Sequence, residues 1–361
     1  MQIGIVGLPK SGKTTLFMAA TRGKVQKGSN GELVRGIAKI DDNRLEKLSE
    51  IYDSKKTTSA EILYLDSPPP KEGFGKHVGI EGNLLAHLQG CDELIIVVRE
   101  FSDASVPHIN NTLDPSSDAV ELLMDLSFVD QGILERRLTK LTEGLKSRKA
   151  IDKKPILREQ DLLERISRSL NAGKPAHEVL KNEQETKIIK GFGLLTTKPL
   201  IVAVNIDEAS IDRSTDIEKR VSDAIENNAK VVPICTKLES ELSEMNTQDE
   251  LDFRNELNIK ESGINRLVRA SYDSLGLITF FTTSADETRA WSIKKGTEAQ
   301  MAAGQVHTDM QRGFIRAEII SYEQLIYCGN ESIARNKGLL RQEGKNYAMQ
   351  DGDVVKFLFN V

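Results

Sequence analysis

The chain has 361 residues and a net charge of −5, and it contains only three cysteines. This length suffices for two or three domains, each with its own hydrophobic core. The acidic balance argues against a generally basic nucleic-acid binder, and we expect no DNA partner. Because we find no secretory signal and no apolar run of about 20 residues, we predict a cytoplasmic protein that has no membrane partner.

The first predicted element is a buried strand that runs from Met1 into a glycine-rich loop. The loop reads Gly7-Leu8-Pro9-Lys10-Ser11-Gly12-Lys13-Thr14, and a helical stretch follows from Thr15. It matches the phosphate-loop pattern G-x-x-x-x-G-K-[ST], in which backbone N–H groups surround a phosphate. We expect Lys13 to contact the β- and γ-phosphates of a nucleotide and the Thr14 hydroxyl to bind Mg²⁺. The flanking strand and helix favour this interpretation over a glycine-rich turn without a ligand, and we predict nucleotide contacts from Gly7 to Thr15.

A second apolar strand is predicted over residues 62–66, and it ends in the carboxylate of Asp66. In a P-loop protein, the carboxylate at the end of this strand holds Mg²⁺, usually through water. Many buried strands end in aspartate, so this pattern predicts a metal ligand only in combination with the phosphate loop. We therefore predict Mg²⁺ as the cofactor, with Thr14 and Asp66 as its ligands.

A third strand, over residues 200–204, leads into Asn205-Ile-Asp-Glu208. GTPases carry Asn-Lys-x-Asp at this place, and the aspartate accepts hydrogen bonds from the N1–H and the exocyclic amine of guanine. Glu208 is one methylene longer than aspartate, and adenine has no N1–H to donate. We therefore interpret Asn205 and Glu208 as part of a relaxed or adenine-preferring base pocket, although a plain turn at a strand end is the alternative.

A further strand over residues 231–234 is followed by Cys235 and Thr236. G-domain proteins place a loop here whose backbone N–H groups touch the base, so both residues are candidate nucleotide contacts. Oxidation of Cys235 would affect binding, but we favour an inert, half-buried thiol. The other two cysteines, Cys91 and Cys328, lie far away in sequence, and the three show no metal or redox spacing.

Between residues 117 and 193 the pattern becomes helical. Two narrow apolar seams recur at helical spacing with charged residues between them, and they consist of Leu134, Leu138, Leu141 and Leu145, and of Leu163, Ile166 and Leu170. The seams predict two long antiparallel helices that form a coiled-coil hairpin. Because such seams are too thin for a full core, we favour a projecting arm over a hairpin that packs wholly on the first domain.

From about residue 278, alternating strands and turn signals predict a small sheet with a helix. Acidic and basic residues are about equal in number here, so the segment lacks the charge of a nonspecific RNA binder. A cluster of cations with one tryptophan forms either an RNA-facing patch or ordinary surface, and it consists of Arg289, Trp291, Lys294, Lys295, Arg312 and Arg316.

Taken together, these motifs resemble the YchF subfamily of Obg-like P-loop NTPases over nearly the whole chain. Residues 7–17 resemble its phosphate loop, and residues 205–208 resemble its Asn-x-x-Glu. Residues 97–101 and 106–115 resemble its next strand and loop. The C-terminal stretch is the closest match, for example Arg289-Ala-Trp-Ser-Ile-Lys-Lys-Gly296 and Gln350-Asp-Gly-Asp353.

The resemblance implies an α/β fold with three parts. These are a P-loop NTPase G domain over residues 1–116 and 196–277, an α-helical coiled-coil insertion over 117–195, and a C-terminal TGS (β-grasp) domain over 278–361. The resemblance also implies hydrolysis of ATP, or of GTP, and a regulatory association with the ribosome or ribosomal RNA.

Two residues are catalytic candidates on this basis. Lys13 would act on the phosphates, and His108 occupies the position of the family's proposed catalytic histidine. An imidazole can orient or deprotonate the attacking water. A loop histidine without a role is the alternative, and His77 and His87 are less favoured candidates.

The chain also departs from the family in both switches. After Asp66 the family reads Asp-x-Ala-Gly, whereas this chain has Pro68-Pro69-Pro70, and proline has no N–H to donate to a γ-phosphate. The family has a switch I threonine that binds Mg²⁺. In this chain no threonine occurs between Thr21 and Thr57, and Ser29 is the sole hydroxyl in the early part of that stretch. An alternative function is therefore a nucleotide-dependent binding module with little or no hydrolysis. A small-molecule kinase is a third interpretation, but the insertion and TGS segment offer no obvious acceptor pocket.

Overall fold

The computed structural model describes residues 1–26, 33–67, 82–103, 105–108, 112–147, 153–225, 229–257, 259 and 261–360. The chain divides into two compact units, one formed by Met1–Ile37 with Leu63–Leu267 and one by Ala38–Ile62 with Val268–Val361. Within the described ranges, no helix is long and apolar enough to cross a membrane. The predicted α/β fold class is confirmed.

The first unit is built on a seven-stranded sheet with the order β2-β3-β5-β1-β6-β7-β8. The five strands from β5 to β8 in this order pair in parallel, whereas β2 runs antiparallel to β3. The bounds are β1 Gln2–Gly7, β2 Val25–Gln26, β3 Val34–Lys39, β5 Glu61–Asp66, β6 Glu93–Arg99, β7 Leu200–Asn205 and β8 Lys230–Ile234. The four strands predicted for this unit are thus present.

The central strands are continuous apolar runs because helices cover both faces of a parallel sheet. The helices of this unit are α1 Lys13–Thr21, α3 Gly82–Gly90, α4 Pro115–Ser147, α5 Lys153–Asn171, α6 Glu183–Lys190, α7 Ser214–Ile225, α8 Thr236–Ser243, α9 Thr247–Glu256 and α10 Gly263–Ser274, the last of which continues into the second unit. Short 3₁₀ turns lie at Ala176–Val179, Leu195–Thr197 and Glu208–Arg213.

Helix α4 has two parts with different packing. Asp114 accepts hydrogen bonds from the backbone of the first turn, and Pro115 takes the position where a missing N–H costs nothing. Ala119, Leu122 and Leu126 then belong to the core of the sheet. The predicted coiled-coil seams form a separate cluster, which contains Leu134, Leu141, Leu163, Ile166 and Leu170. The hairpin is therefore rooted in the sheet core, and its seams pack in a cluster of their own.

The second unit is a six-stranded sheet with the order β12-β11-β13-β9-β10-β4. Its strands are β4 Thr57–Thr58, β9 Leu277–Thr282, β10 Thr288–Lys294, β11 Phe314–Ser321, β12 Arg341–Glu343 and β13 Asp353–Phe359. Its helices are α2 Asn43–Tyr52, α11 Ala299–Val306, α12 Thr308–Arg312, α13 Tyr322–Cys328 and α14 Glu331–Asn336. One hydrophobic cluster includes α11, and another includes α2 and α13.

Residues 38–62 are grouped differently from the predicted boundaries, which assign them to the G domain. Leu45 and Leu48 of α2 are buried in one cluster with Phe281 and Leu325. The Arg44 guanidinium bonds Asp42 at 2.8 Å and Asp351 at 2.7 Å, and β4 extends the sheet beside β10. The grouping follows from these long-range contacts, for which a local sequence pattern gives no signal.

Candidate nucleotide-binding site

The phosphate loop lies between β1 and α1 and has two residues in the left-handed region. Lys10 has φ 64° and Gly12 has φ 95°. A Cβ at Gly12 would overlap the amide nitrogen of Asn205, so that position excludes every side chain. The helix starts at once, because Leu16 donates its N–H to the Gly12 carbonyl at 2.9 Å. Such a turn leaves backbone N–H groups directed at one concavity, which suits an anion.

Lys13 is the buried cation of this loop and is 7% exposed. Its Nζ donates to the Ser67 carbonyl at 3.4 Å. Burial lowers the pKa of Lys13, and the nearby charge of Asp66 partly offsets that effect. A desolvated ammonium group interacts strongly with phosphate because little water screens it. The position of Lys13 therefore fits contact with phosphate oxygens.

Thr14, in the first turn of α1, meets Asp66 at the end of β5. The register pairs Ile5 of β1 with Asp66, and the Thr14 hydroxyl donates to Asp66 Oδ2 at 3.0 Å. Asp66 Oδ1 is buried and has no hydrogen-bond partner among the described residues. Burial raises the pKa of Asp66, while Thr14 and Lys13 act in the opposite direction. A partnerless carboxylate oxygen beside a hydroxyl offers the hard oxygen ligands that Mg²⁺ prefers, so these residues fit the predicted metal.

Asn205 joins three loops at this edge of the sheet. Its Nδ2 donates to the Ser11 carbonyl at 3.0 Å, and its Oδ1 accepts from the Thr236 hydroxyl at 2.8 Å. The backbone carbonyl of Asn205 also accepts N–H bonds from Glu100 and Phe101. Asn205 thus links the phosphate loop to the loop that begins α8, while one N–H of its Nδ2 makes no bond to a described residue.

Glu208 and Cys235 border the predicted base pocket in different ways. Glu208 is exposed, and its carboxylate makes no hydrogen bond with any described residue. Cys235 is a buried free thiol, and burial raises its pKa, so it stays protonated at neutral pH. Glu208 is therefore free to bind a ligand, and the Cys235 thiol packs in the hydrophobic core of the sheet.

His108 lies in a loop with two anchors. The Arg99 guanidinium donates to the carbonyls of Phe101 at 2.9 Å and Val106 at 2.7 Å, and it also covers the Phe101 ring. At the far end of the loop, His108 Nε2 lies 3.0 Å from Asp118 Oδ2, and both side chains are largely buried. No sequence motif predicts a role for Arg99, because its partners are backbone carbonyls.

Some predicted features fall outside the described residues. These are Pro68–Pro70, Ser29 and His77. In the second unit, Arg289 stacks on Trp291 at 4.1 Å, and Trp291 donates to the Thr282 hydroxyl at 2.9 Å. The other four members of the predicted cation cluster, Lys294, Lys295, Arg312 and Arg316, are exposed.

Comparison with known protein families gives one match in the C-terminal region. Residues 277–360 match the family YchF-GTPase_C, described as "Protein of unknown function (DUF933)". This range starts at β9, so the family's match does not contain residues 38–62, which complete the second unit.

Comparison with curated proteins gives full-length relatives. The chain is 36% identical over 365 residues to the "Ribosome-binding ATPase YchF" of Bacillus subtilis, which covers 99% of both chains. It is 35% identical over 370 residues to the protein of the same name from Mycoplasma genitalium, which covers all of both chains.

Comparison with solved structures agrees with this. The Schizosaccharomyces pombe YchF GTPase has a TM-score of 0.86 and 28% identity, with 99% of this chain and 97% of that chain covered. A GTP binding protein from Pyrococcus horikoshii has a TM-score of 0.58 and 19% identity over both full lengths, which indicates a shared fold.

Proposed function

The chain belongs to the YchF family, and from that premise we propose that it hydrolyses ATP with Mg²⁺ and associates with the ribosome as a regulatory switch. The single observation that carries the proposal is the arrangement around Asp66. There the hydroxyl of Thr14, a partnerless carboxylate oxygen and the buried Lys13 amine meet at the phosphate loop. These are the groups that bind a nucleoside triphosphate and its metal ion.

The proposed chemistry divides among few residues. Backbone N–H groups of the phosphate loop and Lys13 bind and orient the phosphates, while Thr14 and Asp66 hold Mg²⁺. The metal, when bound, neutralises charge that develops on the phosphate oxygens. We assign His108 the orientation of the attacking water, and its contact with Asp118 fixes which ring nitrogen carries the proton. The side chains of Asn205 and Thr236 position the two loops, and both residues stay candidate contacts of the nucleotide.

We infer a preference for ATP from Glu208. An aspartate at this place accepts two hydrogen bonds from guanine, and the longer glutamate displaces the carboxylate from that position. The exposed and unpaired state of Glu208 supports a role in the pocket. GTP remains the second nucleotide to test, because the solved relatives carry GTPase or GTP binding in their names.

We propose the ribosome as a partner because the curated relatives are named for ribosome binding. The same name supports a cytoplasmic location, where ribosomes are found. The word ATPase in that name favours turnover over the alternative of a binding module that barely hydrolyses. The proposed partners are thus ATP and the ribosome or its RNA.

The experiment is a parallel titration and turnover assay with Mg·ATP and Mg·GTP, with and without ribosomes. We expect tighter ATP binding, measurable hydrolysis, and a loss of nucleotide affinity of at least about tenfold in Lys13→Ala. Glu208→Asp should shift the preference toward GTP, whereas Glu218→Asp on the exposed face of α7 should not. Unchanged binding in Lys13→Ala would refute the site, and binding without turnover in every condition would favour the alternative module.

A further inference from the structure

The helices of the hairpin are strongly polarised in charge. The first 21 residues of α4, 115–135, contain five acidic residues and no basic one. The last residues of α4 and the first of α5, 136–147 and 153–158, contain seven basic residues and one acidic residue, a net charge of +6 in a chain of net −5. At 1.5 Å per residue, Asp118 and Lys140 lie about 33 Å apart along the helix.

The register of the hairpin brings cations of both helices to one level. Gln131 bonds Ser167, and Arg137 bonds Glu159. Because α4 and α5 are antiparallel, each step forward along α4 is matched by a step back along α5. This register puts Lys140 level with Arg158. Like charges held together in this way repel each other unless an anion lies between or beside them.

The cations of the hairpin differ in whether an acidic residue of the fold pairs with them. Arg137 makes two bonds to Glu159, at 2.7 and 3.0 Å, and Arg165 bonds Glu185 at 2.6 Å, so these arginines are occupied within the fold. Four exposed cations have no ion pair with any described residue, and we call them the hairpin-end cations: Arg136, Lys140, Lys154 and Arg158. Each helix contributes two of them, one turn apart.

We propose that the hairpin-end cations contact the phosphate backbone of ribosomal RNA. This inference rests on the proposed ribosome association and names the surface that carries part of it. Phosphates along RNA match a compact group of unpaired Lys and Arg side chains, and Arg binds phosphate through two parallel N–H bonds. The first part of α4, residues 115–135, has no basic residue to bind the same backbone, so the hairpin contacts RNA through the hairpin-end cations. Phosphate contacts position a protein without reading base sequence.

The test uses the full chain with Lys140→Ala and Lys154→Ala together. The matched control carries Lys187→Ala and Lys219→Ala, two exposed lysines on α6 and α7 outside the hairpin. Binding is measured by cosedimentation with bacterial ribosomes, and separately by anisotropy with a labelled RNA duplex of about 20 base pairs. Both series cover about 0.05 to 0.2 M salt, because lost phosphate contacts lower the slope of log affinity against log salt.

We expect the hairpin variant to bind ribosomes and duplex about tenfold more weakly or worse, with the salt slope reduced by about 2, while the control stays close to wild type. Equal binding by the two variants overturns the proposal. If the wild type binds the duplex through the hairpin but not ribosomes, the RNA contact stands and the ribosome is the wrong partner. If ribosome binding needs the hairpin while the wild type binds no duplex, an acidic protein surface is the partner and the RNA assignment fails. Far-UV circular dichroism of both variants verifies the helices.

Discussion

The side-chain oxygen of Asn205 accepts two hydrogen bonds from Thr236, one from its backbone N–H at 3.2 Å and one from its hydroxyl at 2.8 Å. Because Asn205 also donates to the Ser11 carbonyl, one buried amide ties the end of β7 to the phosphate loop and to the start of α8. The register pairs Asn205 with Arg99 on one side and with Ile234 on the other. Contacts within the protein therefore set the geometry of the predicted base loop.

Asn205→Ala should damage the site more than Thr236→Val. The alanine leaves the buried Thr236 N–H without its acceptor, which costs about 1–3 kcal/mol, whereas valine keeps that bond and loses only the hydroxyl contact, at about 1 kcal/mol. We expect both ATP and GTP affinity to fall in Asn205→Ala, because the loops lose their mutual position. Thermal unfolding and nucleotide titration measure the two effects. A selective loss of one nucleotide would instead mean that Asn205 contacts the base directly.

Gly12→Ala should abolish nucleotide binding. The residue has φ 95°, and a Cβ would overlap the Asn205 amide, so the loop must move to accept a methyl group. Gly23 provides a matched control, since it has φ 67° but nothing within 4 Å of a Cβ. Gly23→Ala carries only the left-handed penalty of about 1 kcal/mol and should bind nucleotide normally. Similar nucleotide affinity in both variants would show that the Asn205 side chain moves away from the added methyl group at little cost.

Asp66→Asn should stabilise the nucleotide-free protein and weaken its binding of Mg·ATP. Burial raises the pKa of Asp66 above its unfolded value, so the fold favours the protonated carboxyl and the ionised form at neutral pH costs stability. The stability gained from the protonated carboxyl is fully present below the unfolded pKa and is lost as the pH rises through the folded pKa. The neutral asparagine removes the cost, and we expect Tm to rise by on the order of 1–3 °C at pH 7.

The same shift predicts a pH dependence for metal binding in the wild type. As the pH falls through the raised pKa of Asp66, the carboxyl takes up a proton and its Mg²⁺ affinity declines. The decline should begin at higher pH than for an ordinary aspartate, and it should be much smaller in Asp66→Asn. Calorimetric titration of Mg·ATP at several pH values measures it. An identical pH profile in the two proteins would exclude Asp66 as the titrating ligand.

Sequence patterns predict the parts of this fold that depend on neighbouring residues. The strand ending at Asp66, the phosphate loop and the seam through Leu134 and Leu141 are all local, and each lies where the pattern indicates. The clamp of Arg99 on two carbonyls and the bond from Arg44 to Asp351 join residues through the fold, so spacing alone cannot reveal them. The role of Asn205 is intermediate, because its motif is visible but its partners are not.

The placement of residues 38–62 leads to a prediction about the second unit. Phe281, Ala290, Leu325 and Val354 form one hydrophobic cluster with Leu45 and Leu48, which lie more than 200 residues earlier in the sequence. Leu48 is 0% exposed, so nearly all of its side chain is covered by this cluster. Without α2, the cluster would face water and lose most of that burial.

A fragment of residues 268–361 should therefore fold poorly alone and gain structure when a peptide of residues 38–62 is added. Burial of a leucine contributes about 1.5–3 kcal/mol, and the Arg44 bond to Asp351 adds specificity to the docking. Dispersion of amide signals in NMR spectra and a cooperative thermal transition are the measurements. The same peptide with Leu45→Ser and Leu48→Ser is the matched control and should have little effect. Cooperative unfolding of the fragment alone, unchanged by either peptide, would show that the C-terminal sheet folds without α2.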